Sequence, residues 1–443
     1  MHRMFELMPG CRILKLAAAV ACCLSNAALA ATITVDNGAA SSVAGSCTIV
    51  DAVASVNQGS AVVGSSCVNT GSAFGTSDTI NFSSNFNINF AVPAGNSRSA
   101  LVLNKAVTIS GNVNGAGKPV VAITRKNGAN TRFRLIETSA NLVLSGITIR
   151  GGDVDSDGGG VFVGADARVS INNSAIVGNS ATVRGGGVYA SNGLVTLNST
   201  TVSGNTAPVY GGGVYSYAGA TISHSTISGN SSGQGGGILS GGPFAADEST
   251  ISGNTATYVG GGIYAFGKSV LTDTTISGNS ATLSGGGIST GEANMRFCTI
   301  TGNSVDSGGA GAGVYLRGNN NSASAALIFA NQSGADIDGP PFVMSTLMGD
   351  HNLIGTHSSA LSVPGDTKNC DPGLGSLSLN GGATQTRALS NSSCAIDAGP
   401  AFSSISADQR GYARKMGAAT DIGAFEKQGP DDPDRIFSGT FDQ

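Results

Sequence analysis

The chain has 443 residues, 40% of them hydrophobic, so it is long and apolar enough for a large folded core. Its formal net charge of −4 argues against a nucleic-acid partner, because phosphate binding needs a basic face. The 67 glycines, the absence of Trp and the low charged fraction of 11% indicate repeated β-structure with many tight turns.

Residues 1–30 have the pattern of a secretory signal peptide. Three basic residues precede a short apolar stretch at 16–24, and Ala28-Leu29-Ala30 is an A-x-A cleavage site. The apolar stretch is too short to span a membrane as a mature helix. The sequence therefore predicts an exported protein whose mature chain has no transmembrane segment. The stretch from Ala19 to Cys22 offers a lipoprotein site as the alternative.

Five cysteines remain after the predicted cleavage site. In an oxidising compartment, Cys47 with Cys67 and Cys370 with Cys394 are plausible local disulfide pairs. Cys298 is left over, and the repeat described below gives it a small, inward position. We therefore expect a buried free thiol that packs as a small hydrophobe.

An internal repeat dominates the middle of the chain. The pair Gly-Asn recurs about every 25 residues, and a triple glycine recurs in step with it. Each unit holds three short alternating runs rich in Val, Ile, Thr and Tyr, with no room for a helix of ten residues or more. This period and pattern predict an all-β fold, a parallel β-helix with one coil per unit of about 25 residues. The Gly-Asn asparagines are Asn179, Asn205, Asn230, Asn254, Asn279 and Asn303.

Two aligned columns of the repeat indicate which side chains point inward. An aliphatic residue always follows the triple glycine, from Val161 to Val314, which is typical of a core face. The asparagine column predicts a ladder whose amides hydrogen-bond from coil to coil inside a bend.

The residue after the aliphatic column should face outward, and it is usually aromatic. The prediction is an exposed stripe that either binds a glycan or protein or simply favours strand stacking. Its members are Phe162, Tyr189, Tyr215, Tyr264 and Tyr315, with Leu239 and Ser289 as interruptions.

The repeat GGGIYA…TISGN resembles the repeats of polymorphic outer-membrane proteins and related right-handed parallel β-helix proteins. The segment Cys47 to Asn57, CTIVDAVASVN, is similar to one that opens many secreted β-helix proteins, although Val50-Asp51 replaces the usual Arg-Glu. Between Gly349 and Glu426, the series GDHNLIG, AIDAG, ADQRG and DIGAFE resembles the domain called choice-of-anchor Q. The resemblance implies a secreted or surface-displayed bacterial β-helix and no particular reaction.

The predicted organisation follows the period and these flanks. We expect an N-terminal cap over residues 31–100, the β-helix over 101–330 and a C-terminal cap over 331–426 that folds across the coil end, because solenoids need protected ends. Residues 427–443 form a tail, either an export tag or a frayed end.

The most acidic stretch is GGDVDSDGGG, residues 151–160. Asp153, Asp155 and Asp157 have the spacing with which a calcium loop begins. Aligning the triple glycines places Asp157 one coil from Arg184, so a cross-coil ion pair is the favoured interpretation. Catalysis by Asp155 and Asp157, with Arg184 nearby, is the weakest of the three hypotheses.

These observations favour a non-catalytic adhesin-like protein of the cell surface that binds an extracellular glycan or another surface component. No cofactor other than calcium is expected. The alternative is a calcium-assisted polysaccharide lyase or glycoside hydrolase.

Overall fold

A computed structural model describes residues 30–71, 74–75, 77–95, 97–341, 345–401 and 403–429. The predicted signal peptide, except residue 30, and the tail beyond residue 429 lie outside the described residues.

The described chain winds into a parallel β-solenoid of about 26 residues per turn. Equivalent residues of successive coils pair in register, so that Val161 lies beside Val188 and Val188 beside Val214. The aliphatic column is fully buried along the inside of the coils. The predicted all-β parallel β-helix is confirmed.

Each central coil contains four short strands, one more than the sequence predicted. The missed strand precedes the triple glycine, as in Thr206–Tyr210. Its inward residues are small, and Val154, Ala181 and Ala207 form a separate apolar cluster. This strand lacks the Val and Ile spacing of the other three, so periodicity alone did not reveal it.

The first strand series follows the glycines, and its members at Ile263–Thr272 and Ile288–Arg296 run on into the second series. The first series comprises Ser99–Leu103, Arg134–Thr138, Val161–Val163, Val188–Ala190, Val214–Ser216, Ile238–Ser240, Val314–Leu316 and Ile337–Asp338. The second series comprises Thr32–Val35, Asp78–Phe82, Val107–Ser110, Leu142–Ser145, Val169–Asn172, Val195–Asn198, Ala220–Ser223, Phe244–Asp247, Asn320–Ser324, Ser345–Asp350 and Leu361–Ser362.

The third and fourth series close each coil, and two short elements pair antiparallel. The third series comprises Asn87–Phe90, Val121–Arg125, Ile147–Arg150, Ala175–Val177, Thr201–Ser203, Thr226–Ser228, Thr250–Ser252, Thr275–Ser277, Thr299–Thr301, Leu327–Phe329 and Leu353–Ile354. The fourth comprises Asp153–Val154, Ser180–Ala181, Thr206–Tyr210, Ser231–Gln234, Thr255–Val259, Ser280–Ala281 and Ser304–Val305. Asn69–Thr70 pairs antiparallel with Thr32–Val35, and Leu374–Ser378 with Thr386–Leu389.

Parallel pairing extends beyond the predicted range of 101–330 in both directions. Thr32–Val35 already pairs in parallel with Asp78–Phe82. At the other end, Ser345–Asp350 pairs in parallel with Asn320–Ser324. The coils therefore continue beyond the part of the chain in which the sequence repeats regularly.

The triple glycines turn the chain where successive coils approach most closely. Gly211 has φ 60°, a conformation that favours glycine. A Cβ atom on Gly212 would lie 2.4 Å from the carbonyl oxygen of Ser231, and one on Gly213 would lie 2.6 Å from that of Gly237. Only glycine fits these positions without displacing the neighbouring backbone.

The predicted asparagine ladder is present and fully buried. Each side-chain amide donates to the side-chain oxygen of the next coil, at 3.0 Å from Asn179 to Asn205 and 2.9 Å from Asn254 to Asn279. The ladder continues to Asn331, which lies outside the regular sequence period, and its amide donates to Asp336 at 2.7 Å. A carboxylate thus accepts the last bonds of a row of amides.

Cys298 occupies the expected inward position. Its side chain is buried and lies in the main core, and burial raises the pKa of its thiol to about 12. The thiol donates to the carbonyl oxygen of Arg296 at 3.3 Å. It is a neutral packing group at ordinary pH.

A helix, Ile49–Gln58, packs against the first strands near the N-terminal end. Thr48 caps it by accepting from the backbone N–H of Asp51, and Gly59 ends it with φ 78°. Its apolar face joins the core, and the disulfide between Cys47 and Cys67 links the chain just before the helix to the chain after it. This segment is the one that resembles the opening of many secreted β-helix proteins, and its helix was not predicted.

The C-terminal segment from about residue 371 lies along the flank of the solenoid. We had expected it to fold across the coil end instead. Outward hydroxyls of the third series bond to it: Thr250 donates to the carbonyl of Gln385 at 2.6 Å, and Thr275 donates to the side chain of Gln409 at 2.6 Å. Ile422 and Phe425 pack in a small apolar cluster with outward leucines of later coils. The outward hydroxyls and leucines of the flank thus provide the hydrogen-bonding and packing partners that hold the segment there.

Two further links hold the C-terminal segment in place. A disulfide joins Cys370 to Cys394. The buried Arg414 forms an ion pair with Asp273, a residue of the solenoid bend that is equally buried.

Candidate functional site

The predicted aromatic column is aligned in space. Strand register places Phe162 beside Tyr189, Tyr189 beside Tyr215, and Leu239 beside Tyr264. Tyr315 follows beyond Ser289. The parallel pairing of the first series therefore brings the column together.

The column is less exposed than the sequence suggested. Tyr189 is only 6% exposed, because its ring stacks between those of Phe162 and Tyr215 with centroids 5.2 Å apart on each side. The guanidinium of Arg184 covers the same ring at 4.9 Å. Tyr189 is thus a packing residue, and Tyr215, Tyr264 and Tyr315 are half-buried.

A recess opens where the column is interrupted at Leu239. It has a volume of about 620 Å³. The outward residue two positions farther along each strand forms its walls: Tyr217 is 60% exposed and Phe266 is 51% exposed, with Gly241 between them. A Cβ atom on Gly241 would lie 2.4 Å from the carbonyl oxygen of Tyr217, so no side chain fits at this position on the floor of the recess.

The chemistry of the recess suits a ligand with an apolar face and polar edges. Tyr210 and Tyr215 add aromatic surface, and Gln234 supplies an amide that can donate and accept hydrogen bonds. Concave sites of this kind, apolar with a few polar groups, are typical of small-ligand recognition.

The recess residues other than Tyr215 were not among the predicted site residues. A signal was available, because Tyr217 and Phe266 follow Tyr215 and Tyr264 by two positions and therefore share their outward face. The sequence showed the aromatic residues but not the gap between them.

The acidic turn is paired with arginines on neighbouring coils. Arg184 bonds Asp157 through Nε at 3.0 Å and Nη2 at 2.8 Å, which confirms the predicted cross-coil pair. Arg132, which was not among the predicted site residues, bonds Asp153 at 2.7 Å and also pairs with Asp155.

These pairings divide the three carboxylates between two cations. Among the described residues, no three His, Cys, Asp or Glu side chains form a group that could hold a metal ion. The structure therefore does not bring Asp153, Asp155 and Asp157 together as a ligand set, because each carboxylate faces an arginine. Calcium binding and catalysis by Asp155 and Asp157 stay predictions.

A second depression lies on the solenoid flank beside the C-terminal segment. It has a volume of about 550 Å³ and is floored by outward residues of the third series, including Thr201 and Thr226. His224 lines it, and its Nε2 lies 2.6 Å from Oε2 of Glu248 on the next coil. Burial raises the pKa of Glu248, and the neighbouring His224 opposes that shift.

A model of the Chlamydia polymorphic membrane protein repeat matches residues 248–265 and 273–291. No curated protein matches the chain in sequence. Among solved structures, the chain is similar to pectate lyase Pel9A, with 12% sequence identity and a TM-score of 0.47 over 90% of this chain and 98% of that one. At this distance the likeness indicates nothing about substrate or reaction.

The repeat match lies within the coils that carry Tyr264 and Phe266 and points to a cell-surface or outer-membrane protein. Within the described residues, every helix is too short or too polar to cross a membrane.

Proposed function

We propose that this protein is a non-catalytic β-helix protein of the cell surface that binds glycans in the recess between Tyr217 and Phe266. The recess carries the proposal, because it presents two exposed aromatic rings on a rigid strand face around a bare glycine floor. Aromatic faces stack on the apolar faces of sugar rings, and Gln234 supplies hydrogen bonds to hydroxyls. The repeat match supports the surface location.

A glycan array followed by calorimetric titration tests the proposal. Phe266→Ala removes one wall of the recess and should weaken binding of any array hit at least tenfold. Tyr258→Ala is the matched control, since Tyr258 is 55% exposed but does not line the recess. Equal binding by both variants would contradict the assignment of the recess.

The flank depression favours hydrolysis as a second candidate. A histidine beside a carboxylate of raised pKa is a group that can exchange protons with a bound substrate. Incubation with neutral and acidic polysaccharides should then release reducing ends, and His224→Gln should abolish the release. Calcium would be needed only if the acidic turn takes part, so chelation separates this candidate from a calcium-assisted lyase.

A further inference from the structure

The wall of the recess belongs to a row that ends in an arginine. The register pairs Ser216 with Ser240, Ser240 with Ala265, Ala265 with Thr290 and Thr290 with Leu316. The register shifts after Ala265, but the backbone of Gly291 still lies beside that of Phe266, so the next outward residue of each strand continues the row. These residues are Tyr217, Gly241, Phe266, Gly291 and Arg317.

Arg317 reaches back along this row towards the recess. A Cβ atom on Gly291 would lie 2.5 Å from the carbonyl oxygen of Phe266, so no side chain stands in its way. The Arg317 guanidinium carbon lies 4.7 Å from the ring centroid of Tyr264 and 5.3 Å from that of Phe266. One guanidinium nitrogen donates to the carbonyl oxygen of Ala265.

Carboxylates pair with two other arginines on this face, but none pairs with Arg317 among the described residues. Arg134 pairs with Glu137 at 2.8 Å, and Arg184 pairs with Asp157 at 2.8 Å. In the part of the chain that the structure describes, no carboxylate lies within ion-pair distance of Arg317, although Glu292 and Asp338 stand on neighbouring strands.

The hydrogen bonding of Arg317 is also incomplete. Its Nε is buried and has no acceptor, whereas a guanidinium can donate five hydrogen bonds. A half-buried guanidinium beside two aromatic rings, whose donors are not all used, is suited to bind a planar anion bidentately.

We propose that the recess selects acidic glycans, with sugar rings against Tyr217 and Phe266 and an anionic group on Arg317. This inference rests on the glycan binding proposed above. Neighbouring strands lie about 4.8 Å apart. The walls at Tyr217 and Phe266 are therefore about two strand spacings apart, and the Arg317 guanidinium carbon lies 5.3 Å from the Phe266 ring centroid, so an oligosaccharide that runs across the strands can contact all three side chains.

Calorimetric titration with a hyaluronan hexasaccharide and with its carboxyl-reduced counterpart tests the selection. The acidic form should bind at least tenfold more tightly than the reduced form, and Arg317→Gln should bring the ratio of the two affinities to about one. Arg317→Lys keeps the charge and should retain part of the preference. Arg168→Gln, at an exposed arginine elsewhere, is the matched control.

The outcomes separate this inference from the proposed function. If both hexasaccharides bind equally and Phe266→Ala weakens both, the glycan site stands and the role of Arg317 is wrong. If neither form binds, and Phe266→Ala does not alter any array hit, the glycan site itself fails and the inference fails with it. Tighter binding of a heparin hexasaccharide, lost in Arg317→Gln, would also support the inference and identify sulfate as the preferred anion.

Discussion

Removing one rung from the centre of the asparagine ladder should destabilise the whole solenoid. The side chain of Asn254 donates to the carbonyl of Ile227 and to Oδ1 of Asn279, both at 2.9 Å. Its own oxygen accepts from the backbone and side-chain nitrogens of Asn230, again at 2.9 Å. Asn254→Ala deletes all of these bonds in a fully buried site.

The expected loss is about 3–5 kcal/mol in the free energy of unfolding. Four bonds at a net contribution of about 1 kcal/mol each give about 4 kcal/mol, and the Asn230 backbone N–H, which loses its acceptor, accounts for the upper end of the range. Water cannot replace the lost partner without entering the closed bend.

Urea unfolding followed by circular dichroism measures the loss. Because repeat proteins can unfold in parts, the midpoint of the first transition is the quantity to compare. Asn192→Ala is the control, since Asn192 is exposed in a loop of an earlier coil and should change stability by no more than about 0.5 kcal/mol. A change of less than about 1 kcal/mol in Asn254→Ala would show that the ladder bonds do not stabilise the fold.

Three other predictions concern the coil turns, the C-terminal segment and the acidic turn. Gly212→Ala should lower the free energy of unfolding by more than about 2 kcal/mol, because its Cβ would overlap two carbonyl oxygens. Gly115→Ala, with open space around it, should be tolerated. Thermal melting compares the two variants. Burial raises the pKa of Glu426 to about 8, so the folded state holds this proton more tightly than the unfolded state, and stability should fall as pH rises from about 4.3 to 8. The melting temperature should therefore be lower at pH 8.5 than at pH 6, and Glu426→Gln should reduce that difference; an unchanged difference would refute the assignment. Calorimetric titration with calcium should give no heat, because arginines already pair with the carboxylates of the acidic turn; heat that disappears in Asp155→Ala would restore the calcium hypothesis.

Much of the fold follows from the period of the sequence. Every coil repeats the same inward environment, so the aliphatic column, the asparagine ladder and the buried Cys298 could be assigned by aligning the units. The pairing of Asp157 with Arg184 followed in the same way, because residues one period apart become neighbours on adjacent coils.

The candidate site was only partly predictable. The sequence showed that Tyr189 and Tyr215 share a column, but not that stacking on both sides would bury Tyr189. It also did not show that Leu239 and Gly241 would leave a gap between Tyr217 and Phe266, because a recess is defined by what is missing from several strands at once.

The amino-acid sequence by itself determined the solenoid, its inward columns and the repeated contacts between adjacent coils, since each depends on spacing alone. Only the tertiary structure decided where the C-terminal segment lies and how Arg317 reaches the recess. Thr275 meets Gln409, and Asp273 meets Arg414, across more than a hundred residues of chain. Periodicity specifies contacts between residues one period apart, and such long-range contacts depend on how an aperiodic segment complements the finished surface of the coils.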